Sequence, residues 1–410
     1  MLYITYQIIT LKRLYRGKLM KQILFSEKNT VKFDLDYVEI NEKKLQKDDL
    51  DSSTTESYAI SKMRDFYSSL IAKQYENLVV LSGSGTSVGI GIEDNKGKTM
   101  HGLWKSVIDT LSKEKLENFC TTIKYDDFKE EDSDLEAILS RALLAQSYLD
   151  DKDIYQTIED IQTIIRKECA LTLPDDSPHE AFLKKATSRK LKYSRLKIFT
   201  LNYDLLFEQA ASKNGYVVID GFSFSYPRRF NGVNYDYDIV LRNNSRIVNE
   251  ENYATSVFQL YKPHGSLDWE KRKLGTEEYI LKTPETKQPL MIYPNRNKYE
   301  SSYEQPYFEM MSRFQQELRK QNTFLIVIGF SFYDMHIKAM IYEALNVNPS
   351  INLLMVSPDV EKENSFLDLK RKAMHNGSIY LVSETFSDFA KHYPYSRIYD
   401  FSTQEINKNE

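Results

Sequence analysis

Six short apolar runs, each stopped by a glycine or a polar turn, constrain this chain more than any other feature. They are LVVL at Leu78–Leu81, then LKIFTL, VFQLYK, FLIVIG and INLLMV, with IYLV weaker. Runs of that length, nearly continuous in apolar residues and separated by helical periodicity, mark parallel strands covered on both faces. The expected class is therefore α/β, with a doubly wound, mostly parallel Rossmann-like sheet. In such sheets ligands sit outside the carboxyl ends of the strands, so the turns after the apolar runs are where chemistry is to be sought.

The rest of the chain fits around that sheet. VKFDLDYVEI has the alternation of an edge strand or hairpin arm, and ESYAISKMRDFYSSLIAKQYEN repeats apolar residues at helical spacing before the first strong strand. From about Trp104 to Ala186 the pattern is helical, broken at PDDSPHE, where Ser177-Pro178 is a turn and helix-start signal. The piece from Phe222 to Asn252 is rich in Tyr, Asn and Arg and has the character of an insertion over the sheet edge. The expected division is an N-terminal arm over 1–55 and a nucleotide-binding domain over 56–400. That domain carries a helical insertion at 104–190 and a loop insertion at 222–252, and a tail follows at 401–410.

Composition removes several classes. The net charge is -4 with acids and bases interspersed, which argues against direct nucleic-acid binding. Cys120 and Cys169 are the two cysteines, with no CxxC, so neither a disulfide framework nor a four-cysteine zinc ribbon can form, and a reduced, cytoplasmic chain is expected. No apolar run is long enough to span a membrane. In the first 20 residues Lys12, Arg13, Arg16 and Lys18 follow the apolar stretch, the reverse of a signal peptide, and Met20 is an alternative start.

Five strand ends carry polar chemistry. After Leu81 come Gly83, Ser84, Gly85, Thr86, Ser87 and Gly89, a G-x-G-x-x-x-G spacing whose glycines let backbone amides approach a pyrophosphate. It is not the dehydrogenase spacing, and no lysine stands where a P-loop needs one; a glycine turn without ligand is the plain alternative. Asn202, Tyr203 and Asp204 end the next run, and helix capping would account for Asp204 more readily than for Asn202. His264 follows in KPHGS, where a structural histidine is the commoner case. Gly329 and Ser331 follow in GFSFYD, with Asp334 as a helix cap, and Ser357 and Asp359 end LLMVSPD, with turn and cap chemistry as the alternative.

Taken in order, GSGTS, TLNYD, KPHGS and GFSFYD resemble the sirtuin-like domain of bacterial defence proteins, closer to its anti-phage, NAD-degrading branch than to protein-deacylating sirtuins. The resemblance covers about Leu78 to Asp359. It implies that Gly83, Ser84, Gly85, Thr86 and Ser87 hold the pyrophosphate and neighbouring ribose. Asn202 and Asp204 would line the nicotinamide-ribose end, and His264 would be the base. Gly329 and Ser331 would face the phosphates and adenine ribose, with Asp359 near the adenosine. Two departures stand out: the loop has Gly-Ser-Gly for Gly-Ala-Gly, and GIGIEDNKGKT replaces the IPDFR segment, which leaves Glu93 and Asp94 without an assigned part. The missing zinc cysteines and the long gap between Asn202 and His264 favour hydrolysis of NAD over acyl transfer, with no zinc required.

The resemblance further implies nicotinamide and ADP-ribose as products, an effector role in abortive infection, a homo-oligomer, and a separate partner such as a HerA-type ATPase. A catalytically idle NAD or ADP-ribose sensor is the rival; it would bind without turnover.

Overall fold

The computed structural model describes residues 20–51, 54–241, 253–284, 286, 288–292 and 305–395. The expected tail at 401–410, residues 1–19 and residues 242–252 of the 222–252 piece lie outside these.

The chain opens with an antiparallel meander of β1 (Lys21–Phe25), β2 (Val31–Phe33), β3 (Tyr37–Ile40) and β4 (Lys43–Gln46), then helix α1 (Thr55–Ile71). The first parallel strand, β5 (Asn77–Ser82), is followed by a small ribbon, β6 (Gly91–Ile92) and β7 (Asn95–Lys96). Helices α2 (Met100–Leu111), α3 (Lys113–Thr122), α4 (Leu135–Gln146), α5 (Lys152–Cys169) and α6 (Pro178–Ala186) come next. Strand β8 (Lys197–Thr200), α7 (Leu206–Lys213), β9 (Val217–Ile219) and β10 (Val257–Tyr261) return to the sheet. A hairpin of β11 (Trp269–Leu274) and β12 (Glu277–Lys282) precedes α8 (Tyr307–Arg319), β13 (Thr323–Ile328) and α9 (Met335–Val347). The described chain ends with β14 (Asn352–Val356), α10 (Leu367–Ala373), β15 (Ile379–Val382) and α11 (Phe386–His392).

One 11-stranded sheet organises all of this, in the order β4-β3-β2-β1-β15-β14-β13-β5-β8-β10-β9. From β15 to β9 every pairing is parallel, and the N-terminal meander adds its strands antiparallel at the β15 edge. The sheet is doubly wound because side chains alternate along each buried strand. Leu78 and Val80 face a layer built from α1, α6, α7 and α11, with Met63, Phe182, Phe207 and Phe389 in its core. Val79 and Leu81 face the opposite layer of α8, α9 and α10, with Phe314, Ile341 and Leu369.

Helices α2 to α5 pack around a third core of their own, centred on Trp104, Leu116, Ile138 and Ile161. The helical region therefore holds two kinds of helix: α2–α5 form a satellite, whereas α6 belongs to the sheet. At α6 the Ser177-Pro178 signal acts as expected, with Ser177 capping in a reciprocal box with Glu180 and the proline in the first turn. The described part of the loop insertion lies over the β10 side of the sheet, where the Tyr235 ring stacks on Tyr261 at 4.1 Å and Tyr261 on Phe199 at 4.2 Å. No described helix is long and apolar enough to cross a membrane.

Candidate active site

The connection leaving β5 reaches β8 on one side, and the chain later places β13 on the other, so the sheet's switch point lies at β5. A cleft with a cavity volume of about 190 Å³ opens there, beyond the carboxyl ends of these strands. Gly83, Ser84, Ser87, Asn202, Asp204, His264, Gly329 and Ser331 all line it. Gly85, Thr86 and Asp359 do not. Thr86 is fully buried behind the loop, bonded to Ser82 and to the Gly83 carbonyl. Asp359 begins the turn after β14, its N–H 3.4 Å from Ser357 Oγ.

The glycines are required by backbone packed on backbone. A Cβ at Gly83 would lie 2.6 Å from the Gly329 carbonyl oxygen, and one at Gly85 would lie 2.6 Å from Gly329 Cα. Gly329 itself has φ +62° and donates its N–H to the Val356 carbonyl, while the Gly85 N–H donates to Gly329 O at 3.0 Å. The two turns thus form one cradle at the floor of the cleft.

Asn202 locks that cradle to β8. Its Nδ2 lies 3.0 Å from the Gly83 carbonyl, 3.0 Å from Thr86 Oγ1 and 2.8 Å from Ser87 Oγ. The amide N–H groups are thereby committed to the loop, and the carboxamide oxygen is the part of Asn202 left to accept from a ligand hydroxyl. Ser87 passes the contact on, donating to Asp204 Oδ2 at 2.6 Å, while Asp204 Oδ1 accepts from the Leu206 N–H at the start of α7. Asp204 therefore accepts the first N–H of α7 and anchors Ser87 with the same carboxylate.

His264 stands on the turn after β10, 8% exposed at its side chain. Its Nε2 is 3.2 Å from Asp334 Oδ2, and Asp334 Oδ1 accepts from the His336 and Ile337 N–H groups of α9. The turn is held open by Gly265, with φ +89° and no room for a Cβ beside the Leu290 carbonyl. Beneath it Lys262 is buried against the Tyr203 and Asp204 carbonyls and 3.2 Å from Glu208 Oε1. Burial raises the Glu208 carboxyl above its ordinary value, against the opposing pull of Lys262 and Lys282.

The fourth wall of the cleft carries no signal in the sequence. Met100, Leu103, Glu136, Glu168 and Cys169 come from the satellite helices, with Lys98 just before them and bridged to Glu168 at 2.7 Å. Burial pushes the Cys169 thiol up to about 12, so it lines the cleft as a neutral group. No pattern within α2, α4 or α5 marks these positions, because their placement depends on how the satellite docks.

The fold and cleft define a doubly wound, Rossmann-like α/β protein with its polar residues gathered at the switch point. Residues 196–373 match the family model described as a SIR2-like domain. That segment runs from just before β8 through α10 and includes Asn202, His264 and the Gly329 turn; the Gly83 loop precedes it. No curated protein matches the chain. Among the described residues no group of three or more His, Cys, Asp or Glu is placed to hold a metal ion.

Proposed function

We propose that the chain hydrolyses the nicotinamide–ribose bond of NAD, giving nicotinamide and ADP-ribose. The observation that carries this reading is the meeting of Asn202, Ser87, Asp204 and His264 in one cleft beside a glycine cradle. The SIR2-like match supports an NAD-related function for the same segment. The Gly83–Gly329 cradle suits a pyrophosphate, since it brings backbone close to a ligand without intervening side chains.

In the reaction, water adds to the ribose carbon as the glycosidic bond breaks. The bonding pair leaves with nicotinamide, which departs neutral because its ring nitrogen is cationic in NAD. Asn202 Oδ1 orients a ribose hydroxyl, and His264 takes the proton released by the water. Asp204, with both oxygens held by Ser87 and α7, contributes its negative charge beside the oxocarbenium-like transition state. Nicotinamide release from NAD by purified protein tests this. His264→Ala is expected to lower the rate by roughly 10²–10⁴-fold; a folded variant keeping more than about a tenth of the wild-type rate overturns the assignment.

Uncontrolled cleavage would exhaust the cell's NAD, which fits the effector of an abortive-infection defence held inactive until triggered. The satellite helices and the N-terminal meander are the parts available for self-assembly or for a partner such as a HerA-type ATPase. Support for this role is the motif resemblance and the toxicity argument.

A further inference from the structure

We infer that Asp334 is a positioning residue that fixes the orientation and tautomer of His264, making Nδ1 the proton-accepting nitrogen. The inference rests on reading the cleft as an NAD-hydrolysing site. One carboxylate oxygen is spent on the first turn of α9, and the other makes an ion-pair contact of 3.2 Å with His264 Nε2. A neutral imidazole has one N–H and one acceptor nitrogen, so a carboxylate facing Nε2 selects the tautomer protonated there.

The surroundings hold Asp334 in that place. Phe332, two residues earlier, has φ +62°, a conformation a bulky residue adopts only under constraint. Its ring is buried against Phe330, Phe366 and Tyr342, so packing in the α8–α10 layer stabilises the turn that aims Asp334 across the sheet. The other end of the contact is fixed by Gly265 and by the Ile292 N–H, which donates to the His264 carbonyl at 2.8 Å. Two turns from strands on opposite sides of β5 thus meet through one side-chain pair. The remaining charged groups lining the cleft are Lys98, Glu136, Glu168 and Asp204, with Cys169, Tyr203 and Tyr333 as further titratable neighbours.

Asp334→Asn is the discriminating variant, because asparagine caps a helix as well as aspartate does, while its amide N–H would face Nε2 and favour the opposite tautomer. The full chain is assayed for nicotinamide release across pH, and the imidazole resonances are titrated by NMR, with His264→Ala assigning the signal. The expected result is a fall in kcat of at least roughly tenfold with KM little changed. The acidic limb of the rate profile and the His264 titration should both move to lower pH, since the variant lacks the charge that favours imidazolium. Unchanged kcat with an unchanged titration overturns the inference. If the wild type binds NAD but never releases nicotinamide, the hydrolase reading fails, and the titration alone decides the pairing: a shift upholds it and no shift overturns it.

Discussion

His179 shows what a single side chain costs when it is buried for packing. It is fully buried in α6, its ring edge-on to Phe207 and Phe386, and neither ring nitrogen has a hydrogen-bond partner among the described residues. Burial lowers its pKa from 6.5 to about 3, so the folded state holds it neutral where the unfolded chain would take up a proton. The unfolded state binds more protons below pH 6.5, so this residue leaves stability untouched above that value and erodes it as pH falls toward 3. At 1.36 kcal/mol per pH unit the loss reaches about 2 kcal/mol by pH 5. His179→Leu should remove that component, and urea unfolding at pH 7 and pH 5 should show a smaller acid loss in the variant. An equal acid loss in both proteins would mean that His179 is protonated in the fold.

At the scale of elements, the turns decide whether the cleft exists. Gly85→Ala places a methyl group 2.6 Å from Gly329 Cα, and neither backbone has a side-chain end that can swing away. We expect a loss of about 1–3 kcal/mol in unfolding free energy together with weaker NAD binding by calorimetry; wild-type values for both would show that the two turns can separate freely. These turns were legible in the sequence because each follows a strand whose apolar run leaves no other reading. Asn202 and His264 were legible for the same reason, being the first polar residues after such runs. The hairpin of β11 and β12 was missed: its outward positions are charged and its apolar positions few, although Gly275, at φ +64°, marks its turn. Strand β9 was missed because three residues, Val217 to Ile219, carry too little periodicity to register. In sequence Asp334 reads only as a cap, since nothing local in GFSFYD reveals that its second oxygen meets a histidine 70 positions earlier.

For the whole molecule, the N-terminal meander is the outer part of the main sheet, joined through β1 and β15 in the register Leu24 to Val382 and Phe25 to Leu381. Its own outer strand is KKLQ, whose lysines discourage further pairing, whereas IYLV in β15 is fully buried. Deleting residues 1–50 would expose that apolar strand as a sheet edge. The truncated chain should associate or precipitate at concentrations where the full chain stays dispersed, as measured by light scattering; a well-behaved truncated protein would show that β15 is protected by other means.

The same β1–β15 pairing sets an order of events during synthesis. Strand β1 pairs with β2 locally, but its other edge has no partner until β15 has followed it, some 357 residues later by the Leu24–Val382 and Phe25–Leu381 registers. Contacts of such sequence separation form late and carry a large closure cost. The meander must therefore wait as a ribbon open along its β1 edge while the parallel strands assemble, and its docking on β15 is a late step. If the proposed activity depends on a finished sheet, a nascent chain would carry its chemistry in a latent form until β15 has emerged.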